Sequence, residues 1–431
     1  MNLARADAPS VEMHGEVDFA IPVINQSKYY ANISDDQTTP NARNTNHTSK
    51  YKFYTDTELS AIIKGASELG YKYEANIVFD VYDTPRVVDF IDAEGETRVT
   101  NSKYDGGVLR LKNTNVKLGT SYGKFEVGGT KSAAAGLKVK MPTLKHVDAL
   151  DLINSDVGVN YGDVSGQDGA TKAEVLRFLK GASLPTDHTG KQKRANKIVY
   201  YTPKFSGLQF GVSFTQNSNN NGTIAGFTSK YNSTSNSDRV QGSLNVVSAA
   251  AKYEHELDDM QLAVSLGGVF GKAKQNLNGS FIYRDPAGIE LALAATIDKL
   301  KMGINIGSWG KSYNLKPIAS GAQNDLINYR NKKHTQYINA AASYDFDCYA
   351  ISGEFLTAKQ QGNKTQLYNF TAHYNLVPGV TPYFEANYFK LTPSSIGVYL
   401  LQDKTNNVVT GSGSPPANKG SAFVIGTKIT F

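Results

Sequence analysis

Stretches of about ten residues in which every second side chain is apolar recur along nearly the whole chain, and they constrain it more than any other feature. In YKYEANIVFDVYD, Tyr71, Tyr73, Ala75, Ile77, Phe79 and Val81 fall on one face of a strand, and Lys72, Glu74, Asn76 and Asp80 on the other. LQFGVSFTQ sets Leu208, Phe210, Val212 and Phe214 against Gln209, Gly211, Ser213 and Thr215. LKMGINIGSW does the same with Leu300, Met302, Ile304 and Ile306. Sustained 3.6-residue periodicity is almost absent, so the chain reads as all-β.

Two kinds of connection alternate between these segments. Short turns fall at 65–70, 121–123, 204–207, 257–260, 298–299, 345–347 and 377–379, while long polar loops fall at 25–49, 83–107, 217–239, 312–332 and 393–420. Counting hairpins gives about sixteen strands, an even number, with short turns at one end and long loops at the other. A soluble sandwich or barrel has no reason to sort its loops by length. An antiparallel barrel that crosses a bilayer at every strand does, with short periplasmic turns and long extracellular loops. The alternation fits: apolar side chains face lipid, and polar ones face a water-filled lumen. Tyr and Phe near strand ends, among them Tyr71, Tyr73, Tyr122, Phe125, Tyr200, Tyr201, Phe205, Tyr344, Phe346, Tyr349 and Tyr383, are expected to form interfacial girdles. The whole chain, 1–431, is expected to be a single barrel domain.

Composition agrees. The 431 residues include 25 Tyr, 19 Phe and 39 Gly but one Trp, a balance suited to many strands and turns. One cysteine, Cys348, excludes an intrachain disulfide framework. The longest apolar candidate, GIELALAATI, is far shorter than the roughly 18 residues a membrane helix needs. The N-terminus lacks the basic and apolar regions of a secretory signal, so an exported protein is expected to be in its mature form here. A formal net charge of +6, with Lys and Arg scattered, gives no nucleic-acid footprint.

The terminal stretch SAFVIGTKITF places Phe423, Ile425, Ile429 and Phe431 on one face. Such an end frays unless something ties it down. In a closed barrel the last strand pairs with the first, VEMHGEVDFAI, whose Val11, Met13, Val17, Phe19 and Ile21 form the matching face.

YGKFEVGGTKSA (122–133), KIVYYTPKFSGLQFGVSFTQN (197–217), the terminal VIGTKITF and the strand-turn-strand KGASELGYKYEANIVFD resemble the Gram-negative trimeric outer-membrane porins, general diffusion channels, and the likeness follows hairpin order over essentially the whole chain. The resemblance implies a sixteen-stranded barrel in a homotrimer, set among lipid and lipopolysaccharide of the outer membrane of a Gram-negative bacterium. It also implies a third loop folded into the pore, passive diffusion of small hydrophilic solutes and ions, and a terminal Phe431, with Ile429, Ile425 and Phe423, read by the barrel-assembly machinery. The chain is longer than common members, with the surplus in the outer loops and in the third loop, 131–196.

A loop of that length in a compact domain points to function. It carries Asp148, Asp151, Asp156, Asp163 and Asp168, then Glu174. Strand parity turns Lys52, Lys64, Lys72, Arg110 and Lys112 toward the lumen. Asp148, Asp151, Asp156 and Asp163 are therefore expected to face Lys64, Lys72, Arg110 and Lys112 across a constriction, setting up a transverse field. Strand parity is ambiguous near Arg110, because Leu109 and Leu111 suggest one phase and Val116 and Leu118 the other; a bulge would reconcile them. No cofactor is expected, with Ca²⁺ the one candidate ligand, at Asp163, Asp168 and Glu174, where EF-hand spacing is absent. The seven His form no H-E-x-x-H, NIGSWGKS fails as a phosphate loop, and no G-x-S-x-G occurs, so no enzyme is expected. A β-barrel surface adhesin and a barrel-embedded outer-membrane hydrolase are the alternatives.

Overall fold

The computed structural model describes residues 8–27, 51, 53–68, 70–82, 87–91, 97–101, 108–152, 157–160, 173–176, 178–187, 194–218, 242–274, 283–314, 316, 333–394, 398–402, 408–412 and 416–431. Sixteen antiparallel strands close into a barrel. In barrel order they begin β1 (Ser10–Asn25), β2 (Tyr54–Ala66), β3 (Lys72–Tyr82), β6 (Val108–Thr120), β7 (Gly123–Gly129) and β10 (Asn196–Tyr201). Next come β11 (Leu208–Asn217), β12 (Ser243–Leu257), β13 (Met260–Ala273), β14 (Ala287–Ile297) and β15 (Leu300–Gly310). The circuit ends with β16 (Thr335–Asp345), β17 (Tyr349–Gln360), β18 (Asn363–Tyr374), β19 (Val380–Thr392) and β22 (Asn418–Thr430), which pairs back onto β1. Three small hairpins sit in the long loops: β4 (Val87–Ile91) with β5 (Thr97–Asn101), β8 (Val157–Asn160) with β9 (Ala173–Leu176), and β20 (Val398–Gln402) with β21 (Val408–Ser412).

Alternation decides which face each side chain takes. Phe210, Val212 and Phe214 on β11 and Phe423, Ile425 and Ile429 on β22 are exposed on the outer surface, whereas Ser213, Thr215, Ala422 and Val424 are buried inside. A continuous outer band of this kind is unfavourable in water by about 25 cal/mol for every Å² left wet, and it is stable against lipid. On β6 both phases are realised. Leu111 and, beyond it, Val116 and Leu118 are all exposed outward, because the β3–β6 register shifts between Val78 and Phe79 and leaves Lys112 as the extra residue.

Closure secures the C-terminus. Pairing runs from Glu16↔Thr430 to Asn25↔Ser421, and Phe431 exchanges two backbone hydrogen bonds with Gly15, at 2.8 and 3.0 Å. The Phe431 ring lies over Gly15 so closely that a Cβ there would sit 2.1 Å from it. Glycine is what admits the ring.

Three features differ from the sequence-based expectation. Tyr201 and Tyr383 are not girdle residues: both are buried inside the barrel, since each falls on the inward phase of its strand. Some inward positions near the loop end are apolar, with Leu356, Leu367, Phe389 and Leu391 fully buried there. Finally, the loop end is not uniformly long. β17 and β18 join through Gln361 and Gly362 alone, with φ of 52° and 96°, the left-handed pair that a tight hairpin requires.

Candidate functional site

The described stretches 130–152 and 178–187 of the segment between β7 and β10 run inside the barrel, and a series of inward side chains on successive strands holds the first of them there. It starts with a one-turn helix, α1 (Ala133–Leu137), capped by Ser132, whose hydroxyl accepts from the Ala135 amide and donates to Asp187. The Ala133 amide donates to Ser213 of β11 (3.0 Å) and that of Ala134 to Ser248 of β12 (3.0 Å). The Val139 amide reaches Ser265 of β13 (2.9 Å), and Lys138 Nζ reaches Glu290 of β14 (2.7 Å) and the Ala182 carbonyl (2.6 Å). Further on, the Leu144 amide donates to Ser352 of β17 (3.0 Å) and Lys145 pairs with Glu354 (3.2 Å). The amides of His146 and Val147 share Oε1 of Glu385 on β19, at 2.5 and 3.1 Å. A second short helix, α2 (Ala149–Leu152), follows.

These contacts succeed because small residues let the chain approach the wall. A Cβ at Gly267 would meet Ala134 at 3.0 Å, and one at Gly303 would meet Pro142 at 2.9 Å. Buried amides must find acceptors, and a serine hydroxyl or a carboxylate on the wall supplies one for each. The returning leg is held by apolar packing. Leu179 packs on Trp309, Tyr337 and Ala358, and Trp309 Nε1 donates to the Ser183 carbonyl (2.7 Å). Leu184 packs on Ala134 and Val269. In the same long segment, β8 touches β20.

At His146 several titratable groups converge. The ring stacks on Tyr383 with centroids 3.9 Å apart and planes 5° from parallel, while Tyr383 Oη donates to Asp18 at 2.7 Å. His373 meets His146 edge-on at 6.2 Å. Burial, reinforced by the charges of Lys428 and His373, pulls the His146 imidazole down to about 4, so it is neutral at pH 7. Its neighbour Lys145 behaves oppositely. Burial works against its charge, yet the carboxylates of Asp148, Glu354 and Glu385 outweigh that and hold the ammonium above the ordinary lysine value.

The wall formed by β22, β1, β2, β3 and β6 carries both cations and anions. Lys64 pairs with Glu12 (2.7 Å), Lys117 with Glu74 (2.5 Å) and Lys428 with Glu16 (2.7 Å). Lys112 bridges Glu58 and Asp80, with Arg194 3.8 Å from the other Asp80 oxygen.

Among the expected constriction residues, Lys64 and Lys112 face inward in these wall pairs, and Lys72 is exposed at the turn end on the same phase. Arg110 stands opposite Asp80 in the strand register. Asp148 lies 3.7 Å from Lys145 on its own segment. Asp151 belongs to α2 and Glu174 to β9, but their side chains, like Lys52, Asp156, Asp163 and Asp168 altogether, lie outside the described residues. Sequence reasoning missed the cations of the segment, Lys138 and Lys145, and their wall partners Glu290, Glu354 and Glu385. The available signal was the single carboxylate of each of three strands, at an inward position.

A family model described as Gram-negative porin matches residues 2–393. Two uncharacterised proteins, of Rickettsia conorii and Rickettsia felis, are 25% and 24% identical over 90% of this chain, covering 86% and 87% of their own lengths. In fold, the chain is similar to an anion-selective porin from Comamonas acidovorans (TM-score 0.54, 14% identity, 98% of this chain and 100% of that one). It is also similar to the outer membrane channel DcaP of Acinetobacter baumannii (TM-score 0.51, 12% identity, 100% and 99%).

Proposed function

Because the chain belongs to the Gram-negative porin family and forms a channel of the outer membrane, we propose that the 130–195 segment is the constriction through which small hydrophilic solutes and ions must pass. The observation that carries this reading is the line of anchors from Ser213 to Glu385, which ties the segment to one side of the lumen. The path left for water runs along the opposite wall, between the segment and the paired charges of β1 to β7. Asp148, Asp151, Asp156 and Asp163 are the acidic members of this constriction, and Lys64, Lys72, Arg110 and Lys112 the basic ones.

Charges of both signs in a narrow passage sort solutes by charge and dipole. The test is the reversal potential across a salt gradient in planar bilayers. Changing Asp151 and Asp156 to Asn makes the pore more anion-preferring; changing Arg110 and Lys112 to Gln removes the ammonium that bridges Glu58 and Asp80, with Arg194 still beside Asp80, and shifts preference toward cations. Identical reversal potentials in wild type and both double variants would remove these residues from the constriction.

The working assembly in this reading is a homotrimer, in which barrels cover part of each other's apolar outer faces; a monodisperse monomer in mild detergent would refute it. No catalytic role is assigned. Among the described residues, lumen acids such as Glu12, Glu74, Glu290 and Glu354 take part in ion pairs, which supports this reading; lipid or peptide hydrolysis by the purified protein would overturn it.

A further inference from the structure

We infer that Asp18, Asp56 and the imidazole of His146 form a binding site in the lumen for the primary ammonium group of a permeating solute. The inference rests on the channel reading above and names a solute class for it, because the site lies where the constriction segment meets the wall of β1 and β2. Asp18 and Asp56 stand directly opposite each other in the register of these strands, so they share a face, and Asp18 is buried inside the barrel. Opposed like charges are unfavourable on their own. Lys428 stands opposite Asp18 on the other side, but its ammonium goes to Glu16 (2.7 Å), and Lys112 takes Glu58. Among the described residues, neither Asp18 nor Asp56 has a lysine or arginine within ion-pair distance.

The gap beside the carboxylates says what kind of group belongs there. Oδ1 of Asp18 accepts from Tyr383 Oη (2.7 Å), which leaves Oδ2. Oδ2 lies 3.8 Å from Nδ1 of His146. That is too long for a hydrogen bond between the two atoms, and it is a separation that two acceptors keep around one donor nitrogen, which fits between them at about 2.9 Å from each. Neither imidazole nitrogen has a hydrogen-bond partner, although the side chain is only 10% exposed and Nε2 is buried. The ring cannot easily turn away, since it lies flat against Tyr383. Being neutral at pH 7, it offers a lone pair to a donor. Asp56 supplies the third side. Tyr54 donates to its Oδ2 (3.3 Å), and the residue is exposed to the lumen, so a solute reaches this corner past it.

This arrangement discriminates among cations. A guanidinium presents a planar fork to both oxygens of one carboxylate, but one oxygen of each aspartate is already engaged by a tyrosine. A quaternary ammonium has no N–H for the imidazole. A tightly held metal ion takes three or more protein ligands, and no three His, Cys, Asp or Glu side chains with that spacing occur among the described residues. A primary ammonium has three divergent donors, one each for Asp18 Oδ2, His146 Nδ1 and Asp56. Small solutes carrying a primary amine are the class that fits.

The experiment uses the full chain in detergent, checked for folding by its heat-modifiable migration, with ethylammonium as the probe and ligand-observed NMR as the readout. Because a hydrogen bond to a charged group is worth roughly 10- to 150-fold in affinity, Asp56→Asn, at an exposed position, is expected to weaken ethylammonium binding at least about 10-fold. His146→Phe, which keeps a ring against Tyr383 and removes the lone pair, should weaken it comparably. Glu254→Gln removes a carboxylate held by Lys204 and Lys252 on β12, across the barrel, and should leave the affinity unchanged. Tetramethylammonium and guanidinium should bind wild type more weakly than ethylammonium. Tetramethylammonium binding as tightly as ethylammonium would reveal general attraction of cations and overturn the proposal. An unchanged affinity in either Asp56→Asn or His146→Phe, or a loss in Glu254→Gln as large as in Asp56→Asn, would also overturn it. Binding is read without current flow, so a failure here leaves the channel reading standing; that reading falls only if wild type conducts no ions.

Discussion

Replacing Glu385 by Ala tests whether the anchoring of the constriction segment is energetic or incidental. The carboxylate is fully buried, and its Oε1 accepts from the amides of both His146 and Val147. Hydrogen bonds to a charged acceptor contribute about 1.5–3 kcal/mol each, and a buried amide left without a partner costs about 1–3 kcal/mol. The Ala variant therefore loses about 3–6 kcal/mol of docking free energy at this point, while Gln, which keeps a neutral acceptor, loses about 1–2. The barrel itself survives, because the backbone pairings of Glu385 with Thr371 and Val424 do not use the side chain. The other anchors, Ser352 to Leu144 and Glu354 to Lys145, confine the damage to residues 144–152. A loss of 3 kcal/mol raises the locally undocked population roughly 150-fold, and limited proteolysis reads that population when reclosing outruns cleavage. We expect cutting within 144–152 to accelerate by about that factor in the Ala variant and by about 10-fold in the Gln variant, with added sub-conductance states in single-channel records. Wild-type proteolysis and wild-type current noise in the Ala variant would refute the claim that Glu385 holds the constriction.

Three further outcomes follow from the same geometry. Acid should loosen the segment: the docked state keeps His146 neutral down to about 4, whereas an undocked histidine takes up a proton near 6.5, so docking is at full strength above pH 6.5 and weakens by up to about 3 kcal/mol as pH falls to 4. A His146→Phe variant keeps the groups that face the ring, Asp18 from β1, Tyr383 and Glu385 from β19, His373 from β18 and Lys428 from β22; the difference in protease sensitivity between the two proteins isolates the imidazole, and parallel pH profiles would exclude it. Changing Ser213, Ser248 and Ser265 together to Ala removes three amide acceptors at about 1 kcal/mol each, and should release α1 (faster amide exchange at 133–139) without altering barrel migration on gels. Deleting Phe431 should lower outer-membrane yield sharply if assembly reads the terminus, whereas Gly15→Ala, which displaces the ring only once the barrel has closed, should leave yield near wild type; equal losses in both would assign the effect to packing instead.

Much of the barrel is legible locally because a strand shows its two faces in consecutive residues. Phe210, Val212 and Phe214 declare the outside of β11 without reference to any other strand, and even the break of phase on β6, between Leu111 and Val116, is written in the positions of its leucines and valines. The two-residue hairpin at Gln361–Gly362 was hidden for the opposite reason. Two polar or flexible residues between Gln360 and Asn363 give no loop signature, so only the left-handed backbone reveals the turn.

The constriction was harder to read because its partners are distant in sequence and meet only after closure: Lys138 reaches Glu290, Lys145 reaches Glu354, and the amide of His146 reaches Glu385. Yet register supplies a rule. An inward carboxylate with a cation opposite it on a neighbouring strand, such as Glu74 with Lys64 and Lys117, is satisfied by the wall. Glu290 stands opposite Gly267 and Gly307, Glu354 opposite Ala341 and Asn369, and Glu385 opposite Thr371 and Val424. No neighbouring strand sets a cation opposite any of them; Asn305 and Tyr337 donate to Glu290 and Asn339 to Glu354, but a buried carboxylate still wants a counter-charge or further donors. Among the described residues, what completes each of them comes from within the lumen, from Lys138, Lys145 and the amides of His146 and Val147. In this barrel, an inward carboxylate that strand register leaves without an opposite cation marks where the protein's own loop is held.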